Sequence, residues 1–193
     1  MKEHIESVKH LSNIEKLNGT IIDLETLFEP CKDKYKPWES EGYIKKTIIC
    51  LGYLNKERIK IYCCETLHEY NDLNKKIKNG VLTLQKPYYA FQHYFEKYVL
   101  KHNCELDIIF EGELNQHYYE KKENAINKLN ISNFDDPFDG NGGMCMNSFN
   151  QGNIENVIKH NRSCLLKEYE ILMKRGFRKI NGNFIEKEIT RFN

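Results

Sequence analysis

Residues 20–26 read Thr20-Ile21-Ile22-Asp23-Leu24-Glu25-Thr26, and the fold depends on how that stretch is taken. A short, β-branched apolar run that opens just after Asn18-Gly19 is expected to be a strand entered from a turn. Side chains alternate along a strand, so Asp23 and Glu25 share a face. Two carboxylates held together repel each other unless a cation lies between them. The spacing alone leaves two readings open: a divalent-metal pair, or a solvated strand end carrying two surface acids.

Upstream, Ile5, Val8, Leu11, Ile14 and Leu17 recur at roughly helical spacing, so residues 1–17 read as a polar lead-in of helical pattern. Downstream, residues 29–40 hold Pro30, Pro37 and the single Trp38 and read as a long loop. Residues 44–53 and 58–64 follow as strands. A helix is expected over 66–78, closed at Asn79-Gly80. Then come a strand over 88–91, a helix over 93–102, a strand over 106–110 and a helix over 118–129. Residues 130–153 are the least patterned, with a turn-rich, flexible loop at 135–143. That loop has neither the acid positions of an EF-hand nor the Gly-Lys-Ser/Thr of a phosphate-binding loop. Residues 154–173 give the strongest helical pattern, with Gly176 beyond their end. Asn181-Gly182 suggests a late hairpin over 179–184. Three strands followed by alternating helices and strands imply one α/β domain with a mixed sheet flanked by helices. It spans 18–176, between the lead-in and a C-terminal hairpin or tail at 177–193.

With 193 residues, 29 Lys+Arg against 28 Asp+Glu and a formal net charge of +1, the chain is not a generic polyanion-coating protein. A local basic groove around an acidic site is compatible with that balance. No apolar run approaches the ~20 residues that span a bilayer, and the start, Met1-Lys2-Glu3-His4, lacks the apolar core of a secretory leader. An intracellular, cytoplasmic protein with no membrane partner is therefore expected. The seven cysteines form no Cys-x-x-Cys pair and read as reduced, mostly buried thiols.

Two further segments bear on the acidic pair. Phe91-Gln92-His93-Tyr94-Phe95-Glu96-Lys97-Tyr98-Val99-Leu100 runs from a strand into a helix and sets Glu96 on its first turn. Val157-Ile158-Lys159-His160-Asn161-Arg162-Ser163-Cys164-Leu165 lies in the strong helix, with Glu168 one turn beyond Cys164 on the same face. Taken alone, each is an ordinary amphipathic helix, and His160 alone is a half-buried structural histidine.

Together, Ile22-Asp23-Leu24-Glu25-Thr26 and these two segments resemble the three motifs of the DEDD-type 3′–5′ exonucleases of the RNase H-like superfamily. The resemblance covers roughly residues 18–175, and the order of elements matches that fold. Gln92 stands where the family has Asn, and Glu96 where it has Asp. Cys164 occupies the third-motif position of an acid. The resemblance implies metal-dependent phosphodiester hydrolysis at a 3′ end of DNA or RNA, with Mg2+ or Mn2+ held by Asp23, Glu25 and Glu96. Glu168 is the available replacement for the missing acid, and His160 would orient or deprotonate the attacking water. Gln92, Tyr94, Lys97, Lys101, Lys159, Arg162 and Trp38 are the candidate strand contacts. The departure at Cys164 leaves an alternative open: a catalytically degenerate RNase H-like module that binds nucleic acid or a protein partner.

Overall fold

The computed structural model describes residues 1–28 and 46–180. Cys31, Trp38, the whole of the loop expected at 29–40 and most of the expected C-terminal hairpin lie outside them. Among the described residues, seven strands form one mixed sheet: β1 (Lys2–Ser7), β2 (Thr20–Phe28), β3 (Lys46–Leu54), β4 (Arg58–Cys63), β5 (Tyr88–Ala90), β6 (Gly112–Glu113) and β7 (Arg178–Lys179). Their order is β1-β4-β3-β2-β5-β6-β7. β2 runs antiparallel to β3 and parallel to β5. β4 is antiparallel to both β3 and β1, and β6 is parallel to β5. Five α-helices lie among the described residues: α1 (Tyr70–Val81), α2 (His93–Cys104), α3 (Lys122–Lys128), α4 (Gly143–Asn150) and α5 (Ile154–Arg175).

The stretch at 20–25 is the centre of this sheet. Ile21 and Ile22 are fully buried, and the strand continues to Phe28 with a bulge between Glu25 and Thr26. Helices cover both faces. The side of Gly52 and Ile61 meets Asn161 and Leu165 of α5, whereas Tyr62, the next residue of β4, meets Gly80 of α1. Successive strand residues point to opposite faces, so α5 and α1 lie on opposite sides.

Three expectations need correction. The first seven residues are not helical: β1 pairs with β4 from Lys2↔Cys63 to Ser7↔Arg58. Their apolar residues are sparse enough to suit either period, and the open edge of β4 decides for the strand. Residues 106–110 do bury alternate side chains, Leu106, Ile108 and Phe110, but ladder pairing occurs only at Gly112–Glu113. The loose stretch at 130–153 contains α4, which has no side-chain cap and so lacks the usual start signal. The six cysteines among the described residues are free and buried, and among those residues no helix is long and apolar enough to cross a membrane.

One glycine sets the distance between α5 and the sheet. A Cβ on Gly52 would lie 2.1 Å from Asn161 Oδ1 and 2.8 Å from Leu165 Cδ1. Gly52 pairs with Asp23, so the close approach falls beside the acidic pair. Gly52→Ala is expected to destabilise the fold by about 1–3 kcal/mol through overpacking. Gly80→Ala, with only Tyr62 atoms at 3.7 Å, should be neutral or stabilising by up to about 1 kcal/mol. Urea denaturation of the two variants checks the contrast.

Candidate functional site

A cleft of about 840 Å³ opens over the C-terminal half of β2. Asp23 and Glu25 on β2, Glu96 on α2, and His160 and Cys164 on α5 all line it. Each of these five side chains is at most 8% exposed. The sequence thus placed them in three separate segments, and the fold brings them to one floor.

Asp23 is fixed by Asn161, whose Nδ2 donates to Asp23 Oδ2 at 2.8 Å and to its carbonyl at 3.2 Å. Glu168, fully buried one turn beyond Cys164, reaches the same cluster. Both acids meet a cation that the sequence did not signal: Lys122 Nζ on α3 lies 3.1 Å from Asp23 Oδ1 and 2.6 Å from Glu168 Oε1. Burial works against the charge on Lys122, but Asp23, Cys164 and Glu168 together raise its pKa well above the ordinary lysine value.

A second cluster adjoins the first. His160 Nδ1 donates to Asp136 Oδ1 at 2.7 Å, which turns Nε2 toward Glu25 Oε1 at 3.7 Å and Cys164 Sγ at 3.6 Å. Asp136 also accepts Lys167 Nζ at 2.6 Å and the backbone N–H groups of Phe138 at 3.0 Å and Gly140 at 2.9 Å. Burial alone would raise the Asp136 pKa, but the bonds from His160, Lys167 and Phe138 hold it well below the carboxylate range. The loop at 135–143 is therefore knotted to α5 through a buried acid, which corrects the expectation of a flexible loop at the rim. An Asp flanked by turn residues was its sequence signal, since such a side chain bonds the backbone two residues on.

The remaining sequence candidates divide. Gln92 lines the cleft, and Tyr94, 37% exposed, stands two residues on in a ring group with Tyr98 and Tyr118. Lys97, half-buried on the next turn, and Lys101, paired with Asp107 at 3.3 Å, are not among the residues of the cleft wall. Lys159 is exposed and Arg162 is bound by both oxygens of Glu6 on β1. Neither lines the cleft, because α5 turns them away from the face that carries His160 and Cys164.

Electrostatics make this a strained collection of acids. Burial, followed by the Asp23 charge, raises Glu25 to about 7. Burial raises Glu168 to about 8 even though Lys122 opposes the shift. Burial and then the charges of Glu168 and Asp23 push Glu96 well above the ordinary value. Glu96 Oε2 and Glu168 Oε2 are buried without a hydrogen-bond partner. Unpartnered buried carboxylate oxygens fit a hard divalent cation, which takes oxygen ligands. Asp23, Glu96 and Glu168 are the residues that would hold one, with Lys122 already paired to Asp23 Oδ1 and Glu168 Oε1. The thiol of Cys164 does not suit such an ion.

Comparisons with protein-family models, with curated proteins and with solved structures give no match for this chain.

The shifts fix a sign for pH. Glu25 and Glu168 bind protons more tightly in the folded chain than in the unfolded one. So does His160: its burial opposes protonation, but its bonds to Asp136 and Cys164 raise it to about 11. Between about pH 6.5 and 9 the folded state holds the extra protons, so stability must fall as pH rises. Calorimetric melting of metal-free protein should show Tm decreasing across that window, and millimolar Mn2+ should flatten the decrease.

Proposed function

We propose that the chain is a metal-dependent 3′–5′ exonuclease on an RNase H-like sheet, hydrolysing phosphodiester bonds at a DNA or RNA end. The observation that carries the reading is the convergence of Asp23, Glu25 and Glu96, from two separate segments, on one cleft, with the fully buried Glu168 of a third segment joined to Asp23 through Lys122. Glu168, reaching in from one turn beyond Cys164, takes the part of the acid that the third motif lacks. The central order β4-β3-β2-β5-β6, antiparallel on one side of β2 and parallel on the other, also favours it, as does the order of motifs.

Asp23, Glu96 and Glu168 would hold a divalent cation, which would supply Lewis-acid activation of water and charge stabilisation at the phosphate. The chain's own residues do the rest. Asn161 holds the Asp23 carboxylate, and Asp136 fixes the ring of His160 so that Nε2 faces the cleft. Gln92 stands at the cleft wall for the strand end. Tyr94, Tyr118 and Tyr119, exposed and in ring contact with one another, offer rings for stacking of unpaired bases, a contact of about 1–3 kcal/mol per base.

One observation favours a second reading. Lys122 is ion-paired to both Asp23 and Glu168, an internal counter-ion that suits a degenerate binding module. Oligonucleotides labelled at the 3′ or 5′ end, incubated with Mn2+, Mg2+ or chelator, separate the two. Metal-dependent shortening from the 3′ end, lost in Asp23→Ala, is the expected result. Binding without shortening supports the degenerate module, and neither binding nor shortening contradicts both. Lys122→Ala should increase Mn2+ affinity under the first reading, since it removes the competitor for the same oxygens.

A further inference from the structure

We propose that Glu25, His160 and Cys164 form a zinc site whose fourth position opens to the cleft. The inference goes beyond the nuclease reading and does not depend on cleavage, because it stands on the geometry of three side chains. One ligand atom from each lies within 4.8 Å of the others. Zinc bonds of about 2.0–2.3 Å in a tetrahedron put neighbouring ligand atoms about 3.3–3.8 Å apart. The separations here are 3.7 Å for His160 Nε2 to Glu25 Oε1 and 3.6 Å for His160 Nε2 to Cys164 Sγ, so the ion would need little rearrangement to enter.

Three independent features point the same way. His160 and Cys164 stand four residues apart on α5, the interval that brings two side chains onto one helical face. The bond from His160 Nδ1 to Asp136 leaves Nε2 as the coordinating nitrogen, the carboxylate–histidine arrangement that orients metal-binding imidazoles. Gly142 lies over the pair: a Cβ there would sit 3.6 Å from His160 Nε2 and 3.7 Å from Glu25 Oε2. A longer side chain at that position would fill the space above the ligands, and glycine keeps it open. The donor set of one sulfur, one nitrogen and one oxygen selects zinc over magnesium. Zn2+ with a thiolate, a carboxylate and a neutral imidazole sums to zero charge, which suits a buried position. Binding releases the thiol proton of Cys164 and the Nε2 proton of His160 to solvent. The departure from the acid at position 164 thus changes the ion that the site prefers.

The test uses the full-length, metal-free protein titrated with Co2+ as a spectroscopic probe and then with Zn2+. A single equivalent of Co2+ should give tetrahedral d–d bands and a thiolate-to-cobalt charge-transfer band, both removed by Zn2+. Cys164→Ser should abolish the charge-transfer band, whereas Cys104→Ser, a buried thiol beside Asn74, should keep it. Asp136→Asn should weaken Zn2+ binding about 10–100-fold, and Cys164→Asp should shift preference from Zn2+ toward Mn2+. X-ray absorption of the zinc-loaded wild type needs no variant and should show one sulfur at about 2.3 Å. No charge-transfer band in the wild type, a band that survives Cys164→Ser, or a zinc shell without sulfur would overturn the proposal. Each of those results leaves Mn2+-dependent shortening of oligonucleotides free to stand or fall separately.

Discussion

Everything at the centre of this protein is arranged around carboxylates that have been taken out of water. Asp23, Glu25, Glu96, Asp136 and Glu168 are each at most 8% exposed, and an unpaired buried charge costs several kcal/mol. The fold meets that cost with three cations brought from elsewhere: Lys122 from α3, and His160 and Lys167 from α5. α5 must therefore lie close to β2, and Gly52 lets it. A helix held even slightly farther out would leave Asp23 without Asn161, and Glu25 without His160.

The compensation is uneven, and the unevenness is where chemistry enters. Asp136 is saturated: it accepts two side-chain cations and two backbone N–H groups, which makes it a structural anchor. Glu96 and Glu168 keep oxygens with no partner, which a purely structural cluster has little reason to retain. Lys122 stands between these states. It is ion-paired, yet it comes from a seven-residue helix at the cleft wall and keeps 27% of its side chain exposed. A counter-ion on a short peripheral element is one that an entering divalent cation can displace.

Much of this was legible in the sequence. The apolar run at 20–25 announces the central strand, because β-branched residues bounded by Asn-Gly leave few alternatives. The spacing of Ile154, Val157, Ile158, Leu165 and Leu172 announces the longest helix. Asp23 and Glu25 were readable as a pair from their spacing on a strand, Glu96 joined them only through the resemblance to the exonuclease motifs, and Glu168 only through its offset of four from Cys164. Lys122 was not readable, and Asp136 was readable only as a turn residue of its own loop, not as the partner of His160. Each acts across a long sequence separation, 99 residues from Lys122 to Asp23 and 24 from Asp136 to His160, and no local period encodes such a contact. β1 was misread for a related reason: an edge strand takes its identity from the neighbour it pairs with.

A cation site built from the buried acids would bind manganese in the crystal. Crystals soaked in Mn2+ and measured at the manganese absorption edge test it most directly. An anomalous peak bounded by the carboxylates of Asp23, Glu96 and Glu168, with the Lys122 ammonium moved aside, is the expected result. Lys122 still seated between Asp23 and Glu168, with no anomalous density at Asp23, Glu25, Glu96 or Glu168, would contradict it.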